Sequence, residues 1–275
     1  EVIDRFFTNP ESLLVGEDRV LAILFSDIRG FTALTELMQA DQMVATLNTY
    51  FSLMVDIIMA RGGIVDKYMG DAVMAFFGAP VEHTDDALRA VLASLEMQEA
   101  LGRFNARQLE LGKPEFHIGI GINYGLVTVG NIGSEKKMDY TVIGDMVNLA
   151  SRLENLTKIY KQEVIISESV YREISKALPC RLIDKVLVLG KTQAQRIFTV
   201  KKQLDERETQ AWMVYHRGLK HYYRREFAEA AKDFRRVSKL TPGDVVSAMY
   251  FDRCESFLKS PPPAGWKGVH VLTEK

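Results

Sequence analysis

Two aspartates carry the first chemical signal in this chain. Asp27 follows the apolar run Leu21–Phe25, inside Phe25-Ser26-Asp27-Ile28-Arg29-Gly30-Phe31-Thr32. Asp71 sits in a like setting, in Lys67-Tyr68-Met69-Gly70-Asp71-Ala72-Val73-Met74-Ala75-Phe76-Phe77-Gly78. A carboxylate at a strand margin beside a glycine turn can cap the next helix. It can also hold a divalent metal while the turn's N–H groups face anionic oxygens. Two such carboxylates brought together by neighbouring strands repel, and a shared cation relieves the repulsion. Two metals roughly 4 Å apart suit in-line phosphoryl or nucleotidyl transfer, because they clamp the entering and leaving oxygens.

A second pair lies further along. Asn148 and Arg152 are four residues apart after Gly144-Asp145, so they share one helix face. An arginine pointing into a site can meet charge developing on phosphate, and an asparagine can orient a sugar. A solvent-facing polar stripe is the alternative. Val147, Leu149, Ala150 and Leu153 anchor the same helix to a core.

The elements that must position these residues follow from periodicity. Residues 1–20 read as a short helix over Val2–Phe7, an Asn9-Pro10 break and an acidic approach to a strand. Helical spacing runs from Leu34 to Met59, with Asp41 as a cap between two helices and Gly62-Gly63 as the stop. Ile64–Tyr68 and Ala72–Phe77 predict a hairpin turning at Met69-Gly70. Asp85–Leu111 predicts a long amphipathic helix closed by Gly112 and Pro114. From Phe116 to Val129 the pattern alternates, with Ile118, Ile120 and Ile122 on one face and Gly119 and Gly121 on the other. Bare glycines on a strand face imply close approach by another backbone or a ligand. Gly130–Asp139 is polar, a projecting hairpin or arm. Asp145 caps a helix through about Thr157. Then come a strand over Glu163–Ile166, a helix over Glu168–Ser175, and strands over Arg181–Leu189 and Arg196–Val200. The order βα(α)ββαβ, then αβαββ, predicts an α+β fold with helices covering a central sheet.

Composition sets outer bounds. The 275 residues can hold one large domain or a domain with an appendage. An apolar fraction of 47% and a charged fraction of 26% are those of a globular protein. A net charge of −1 gives no support for nucleic acid or an anionic membrane as partner. Cys180 and Cys254 lack metal-ligand spacing and read as reduced thiols in a cytosolic setting. The histidines 83, 117, 216, 221 and 270 form no ligand pattern. No apolar run approaches the roughly 18 residues that cross a bilayer. Because the chain begins with Glu1, it is expected to be the cytoplasmic fragment of a longer protein, whose upstream region could hold a sensor or a membrane anchor.

The polar stretch Gln203–Glu208 separates a helical tail. Gly218, Ala230, Phe234 and Pro242 match the small, apolar and proline spacing of a tetratricopeptide repeat. One repeat cannot bury a solenoid core, so helices between Glu208 and Lys259 should pack on the main domain or on a partner. Both a plain helical extension and a partner-docking module fit. Pro261-Pro262-Pro263 and Trp266 form an irregular end.

Taken together, the Phe25–Thr32 block, the Lys67–Gly78 block and Asp139-Tyr-Thr-Val-Ile-Gly-Asp-Met-Val-Asn-Leu-Ala-Ser-Arg-Leu153 resemble the class III nucleotidyl cyclases, bacterial adenylyl cyclases in particular. The resemblance covers about Arg19 to Lys201. It implies a ferredoxin-like catalytic core over 19–202, preceded by a linker helix over 1–18 and followed by a small all-α, TPR-like extension over 203–275. It implies a head-to-tail homodimer with sites at the interface. Asp27 and Asp71 match the metal-binding aspartates, and the Ile28 carbonyl matches a further ligand, for two Mg²⁺ or Mn²⁺ ions per site. Gly30, Phe31 and Thr32 match the segment that receives the β- and γ-phosphates. Asn148 and Arg152 match the ribose-positioning and transition-state pair.

Base choice follows from Lys67 and Thr141, which match the adenine-reading positions. Lys can donate to adenine N1, and a Thr hydroxyl can accept from the N6 amine, whereas an acidic residue at 67 would suit GTP better. One position departs from the family pattern: Leu189 precedes Gly190 where a triphosphate-contacting Lys is common, leaving Lys191 or Lys185 as substitutes. Gly190-Lys191-Thr192 mimics a P-loop ending, but position 185 is Lys and a strand precedes it. The expected activity is conversion of ATP to 3′,5′-cyclic AMP and pyrophosphate in intracellular signalling. The rivals are a guanylyl cyclase, a cyclase-like module that binds nucleotide without turnover, and a protein whose main function is docking through its tail.

Overall fold

The computed structural model describes residues 16–134, 136–187 and 193–271. The expected Val2–Phe7 helix and the Leu189–Thr192 stretch, Lys191 included, lie outside these residues. Two compact units divide the chain: Glu1–Lys158 with Gln162–Ile174, and Ile159–Lys161 with Ser175–Lys275.

The first unit is built on a sheet. Its elements in chain order are β1 (Glu17–Ile28), α1 (Phe31–Thr35), α2 (Ala40–Ala60), β2 (Gly63–Met69), β3 (Ala72–Phe77), α3 (Asp86–Glu110), β4 (Ile118–Ser134), β5 (Lys137–Ile143), α4 (Asp145–Tyr160), β6 (Val164–Ser167) and α5 (Glu168–Ile174). Lateral order is β2-β3-β1-β4-β6, with β5 also on β4. β1 runs antiparallel to β3 and β4, while β4 and β6 are parallel. This is the expected α+β architecture, one sheet flanked by helices.

Alternation sorts the two faces of β1. Leu21, Ile23, Phe25 and Asp27 share one face, with Gly121 opposite Phe25 and Gly119 opposite Asp27 on β4. Leu21, Ile23 and Phe25 join Met74, Phe76, Val127, Val129, Val142 and Ala150 in a single buried cluster. The other face carries Ala22, Leu24 and Ser26, all fully buried, together with Ile118, Ile120 and Ile122. Helix α2 presents Met43, Thr46, Tyr50, Met54 and Ile58 as a buried stripe at three- and four-residue intervals, which is the signature of a covering helix. By length and mean hydropathy α2 also passes the test for a membrane span. That differs from the reading of the sequence, which expected no apolar run of such length; α2 carries Asp41 and Asp56 within it.

Several local expectations need correcting. β1 starts at Glu17, four residues earlier than its apolar run, because it pairs with β4 from Glu17↔Val129 onward. Gln39, not Asp41, is the N-cap of α2; Asp41 lies in the first turn, where its charge meets the helix dipole. The hairpin expected over 130–139 is formed by β4 and β5, but β5 adds a strand that the expected order lacked. The polar residues at its start concealed it, although Val142 near its other end belongs to the buried cluster.

The second unit contains β7 (Cys180–Leu187), β8 (Gln195–Val200), α6 (Glu206–Tyr223), α7 (Phe227–Leu240), α8 (Val245–Lys259) and β9 (His270–Val271). β7 pairs antiparallel with β8 and parallel with β9. The helices pack on this strand group. Arg181 of β7 forms a two-pronged pair with Asp244 at 2.8 and 3.0 Å and lies over the rings of Trp212 and Tyr215. Buried Asp184 accepts from Tyr160, Tyr250 and Arg253 at 2.7, 3.1 and 2.7 Å, so its charge is fully engaged. Gly218 is small because a Cβ there would lie 3.1 Å from Asp233 Cβ and Phe234 Cε1, where α6 and α7 cross. Cys180 and Cys254 are free, their thiols pushed up by burial to about 11 and about 12.

Candidate active site

The first carboxylate pair is brought together by strand pairing. Ser26 on β1 faces Val73 on β3, so the end of β1 lies beside the β2–β3 turn that carries Asp71. Gly70 makes this turn at φ +67°, a conformation that costs glycine little. Asp71 is pushed up to about 6, first by burial and then by the negative charge of Asp27, while the Ile28 backbone N–H opposes the shift. Asp71 Oδ2 is buried and has no hydrogen-bond partner. An orphaned carboxylate oxygen beside a second carboxylate fits a hard divalent cation. Among the described residues no group of three or more His, Cys, Asp and Glu gathers as a metal cluster. A cation here would therefore complete its shell from backbone carbonyl, water and substrate phosphate oxygens.

Helix α4 supplies the surroundings of the pair, and the β4 glycines explain how. A Cβ at Gly121 would lie 2.2 Å from Glu154 N and 2.4 Å from Ala150 O; one at Gly119 would lie 2.1 Å from Thr157 Oγ1. The glycine face is thus occupied by helix backbone and side chains, not by a ligand. Met146 lies against Gly125, and Asn123 Nδ2 donates to Met146 O at 2.9 Å. Helix α4 therefore runs antiparallel to β4 and ends beside Asp27. There Lys158 Nζ donates to Asp27 Oδ2 at 2.9 Å and lies 3.8 Å from Glu154 Oε1. Burial alone would lower the Lys158 pKa, but the Asp27 hydrogen bond and the Glu154 charge outweigh it and raise it. Glu154, 5% exposed, is pushed up to about 7 by burial; Lys158 opposes the shift and Asp27 adds to it.

Reading the sequence missed Glu154 and Lys158. Their signal was present: a four-residue spacing on the helix face that also carries Ala150, with Glu154 set between Leu153 and Leu156.

Asn148 and Arg152 lie elsewhere on α4. At 3.6 residues per turn they sit roughly 160° around the helix from Ala150 and Glu154. Asn148 is exposed; Arg152 is half-buried, and its Nη1 is buried without a hydrogen-bond partner. The structure thus gathers Asp27, Asp71 and the Ile28 backbone at one place, and leaves Asn148 and Arg152 on the opposite face of α4.

Lys67 and Thr141 are brought near each other through a residue the sequence reading passed over. Asp66 lies at a β-bulge, where β2 shifts register between Val65↔Ala75 and Lys67↔Met74. Its side chain is 0% exposed, with Oδ1 3.6 Å from Lys67 Nζ. Thr141 on β5 donates to Asp66 Oδ2 at 2.6 Å. The bulge breaks the two-residue period, so alternation could not place Asp66 inward.

Gly30 precedes α1 at φ +67°, with nothing within 4 Å of where its Cβ would stand; Phe31 and Thr32 open the helix. Lys185 belongs to β7 of the second unit, where its Nζ lies 3.5 Å from Lys267 O.

Comparison with known proteins identifies the family. Residues 16–202 match the model of the adenylate and guanylate cyclase catalytic domain. An adenylate cyclase of Anabaena cylindrica is 44% identical over 200 residues, covering 70% of this chain and 39% of that enzyme. The crystal structure of the adenylyl cyclase CyaB from P. aeruginosa superposes with a TM-score of 0.65 at 36% identity, covering 70% of this chain and 99% of that one. The guanylyl cyclase Cya2 superposes at 0.63 with 38% identity, covering 70% and 96%. The chain spans well under half the length of the Anabaena relative. With the family model matching most of the sequence and the fold shared by both solved cyclases, this chain belongs to the adenylate and guanylate cyclase catalytic domain family.

Proposed function

We propose that this chain converts ATP to 3′,5′-cyclic AMP and pyrophosphate at sites formed between two copies of itself. The observation that carries the reading is the convergence of Asp27 and Asp71, where burial and mutual repulsion push Asp71 up to about 6. Two Mg²⁺ or Mn²⁺ ions, held by Asp27, Asp71 and the Ile28 carbonyl, would supply Lewis-acid activation of the ribose 3′-oxygen and a clamp on the phosphates. In the reaction the 3′-oxygen loses its proton and bonds to the α-phosphorus. The bond from the α-phosphorus to the bridging oxygen breaks, and pyrophosphate leaves.

The chain's own groups divide the remaining work. Arg152 meets the charge that develops on the α-phosphoryl oxygens, and Asn148 orients the ribose. Phe31 and Thr32 offer N–H groups to the β- and γ-phosphates, with Gly30 leaving room above the turn. Lys67 donates to adenine N1, and Thr141 accepts from the N6 amine.

The geometry of α4 supports the dimer. Its Glu154 and Lys158 face the metal aspartate, whereas Asn148 and Arg152 point away from that direction by roughly 120°. One copy would therefore present Arg152 to another copy's Asp27 and Asp71, and a symmetric pair would hold two such sites. We assign 19–202 to catalysis and 203–275 to a helical extension that offers a surface for a sensor or protein partner.

A guanylyl cyclase is the second reading, since Cya2 is as similar as CyaB. Lys67, a donor where guanine also presents N–H, favours ATP. The test is incubation of the purified chain with Mn²⁺ and either ATP or GTP, followed by identification of products. Cyclic AMP with pyrophosphate is expected. Tight nucleotide binding with no cyclic product from either substrate, in folded protein, would leave a binding module instead.

A further inference from the structure

Thr141 and Lys67 share a buried partner in Asp66. The carboxylate touches both through different oxygens, Oδ2 to the Thr141 hydroxyl at 2.6 Å and Oδ1 toward the Lys67 ammonium at 3.6 Å. Oδ1 takes no hydrogen bond, so no other donor competes for it. A Thr hydroxyl has one proton and two lone pairs, and an ionised carboxylate only accepts. The proton in the short bond therefore belongs to Thr141. Burial pushes Asp66 up, while the Thr141 hydrogen bond and then the Lys67 charge pull it back toward the ionised form.

We propose that Asp66 is a specificity-determining positioning residue, which takes up the Thr141 proton and so leaves that oxygen able only to accept from the base. An oxygen of fixed polarity welcomes an exocyclic amine and rejects an exocyclic carbonyl. Adenine presents the amine at C6 and guanine the carbonyl. A free hydroxyl would rotate and serve either base; one held by Asp66 serves one. The β2 bulge has a purpose on this account, because it turns Asp66 inward between two residues that face the base. The inference rests on the assignment of Lys67 and Thr141 to base reading.

Asp66→Asn gives the sharpest test. Lys67 claims the amide oxygen, which leaves the amide NH₂ facing Thr141. Thr141 must then turn its proton toward the base, and the polarity at the exocyclic position reverses. The readouts are kcat/KM for ATP and GTP with Mn²⁺, and competition of each nucleotide against a fluorescent analogue, which needs no turnover. Thr141→Val should reduce ATP-over-GTP discrimination about tenfold, the scale of one hydrogen bond. Asp66→Asn should reduce it by a similar factor, and the double variant should be no worse than Thr141→Val alone. If Asp66→Asn does not fold, Asp66→Ala frees the hydroxyl and should reduce the ratio about threefold.

A purely structural Asp66 would lower the melting temperature and both nucleotides' values together, leaving their ratio fixed; that result overturns the inference. Should Thr141→Val also leave the ratio unchanged, the base-reading assignment itself fails. A change at Thr141 without one at Asp66 refutes the role of Asp66 alone.

Discussion

Replacing Asp71 by Asn should stabilise the metal-free protein, and the size of the gain can be worked from its surroundings. In the fold this carboxyl is raised from 3.8 to about 6, first by burial and then by Asp27. A shift of about 2 units corresponds to about 3 kcal/mol between the two protonation states. Part of Asp71 is open to solvent, which screens the penalty, so about 1–2 kcal/mol is the expected gain at pH 8. Because the folded-state pKa lies above the unfolded one, the folded protein holds this proton longer. The penalty is therefore absent below about pH 4 and grows until pH passes about 6. Glu154, raised from 4.5 to about 7, adds a slope of the same sign to both proteins.

The assay is thermal unfolding in chelator between pH 4 and pH 8, with wild type and Asp71→Asn side by side. The curves should meet near pH 4 and separate toward pH 8, with the variant several degrees higher at roughly 2–4 °C per kcal/mol. Adding Mn²⁺ should raise the wild type and leave the variant nearly unchanged, since only the wild type keeps both ligands. If the variant melts at or below the wild type at pH 8 in chelator, with its circular dichroism intact, the two aspartates do not repel and the metal reading loses its foundation.

Arg152→Ala should lose roughly 10²–10³ in turnover, the cost of removing a donor that acts on the transition state, with nucleotide affinity much less affected. Single-turnover kinetics beside equilibrium binding separates the two, and turnover like the wild type's would show the role misassigned. Mixing an inactive Asp27→Asn protein with inactive Arg152→Ala should restore activity through one hybrid site. Specific activity of the wild type should also fall on dilution; activity independent of concentration in a proven monomer refutes the shared site.

Much of the scaffold was legible because one period governs each segment. The β2–β3 hairpin, the long α3 helix and the stripe of α2 all follow from apolar spacing, which burial enforces residue by residue. Asp27 and Asp71 stood out because each lies at the margin of an apolar strand near a glycine turn, and Asn148 and Arg152 because helical spacing pairs them. The three motif blocks supplied the family resemblance for the same reason, being local strings with a fixed order.

Other features depend on contacts between segments far apart in the chain, and no local pattern encodes those. Gly119 and Gly121 announced a close approach, but only the packed helix shows that Glu154 and Thr157 make it. Lys158 meets Asp27 across 131 residues, at the end of a helix whose direction over β4 the glycines permit. Asp66 turns inward because a bulge interrupts the strand's alternation, and its partner Thr141 arrives on a strand 75 residues later. The sequence by itself determined which side chains could bind metal, phosphate and base. The tertiary structure decided which of them meet within one copy and which face away, because strand register and helix rotation set direction, and neither is written in the spacing of any single segment.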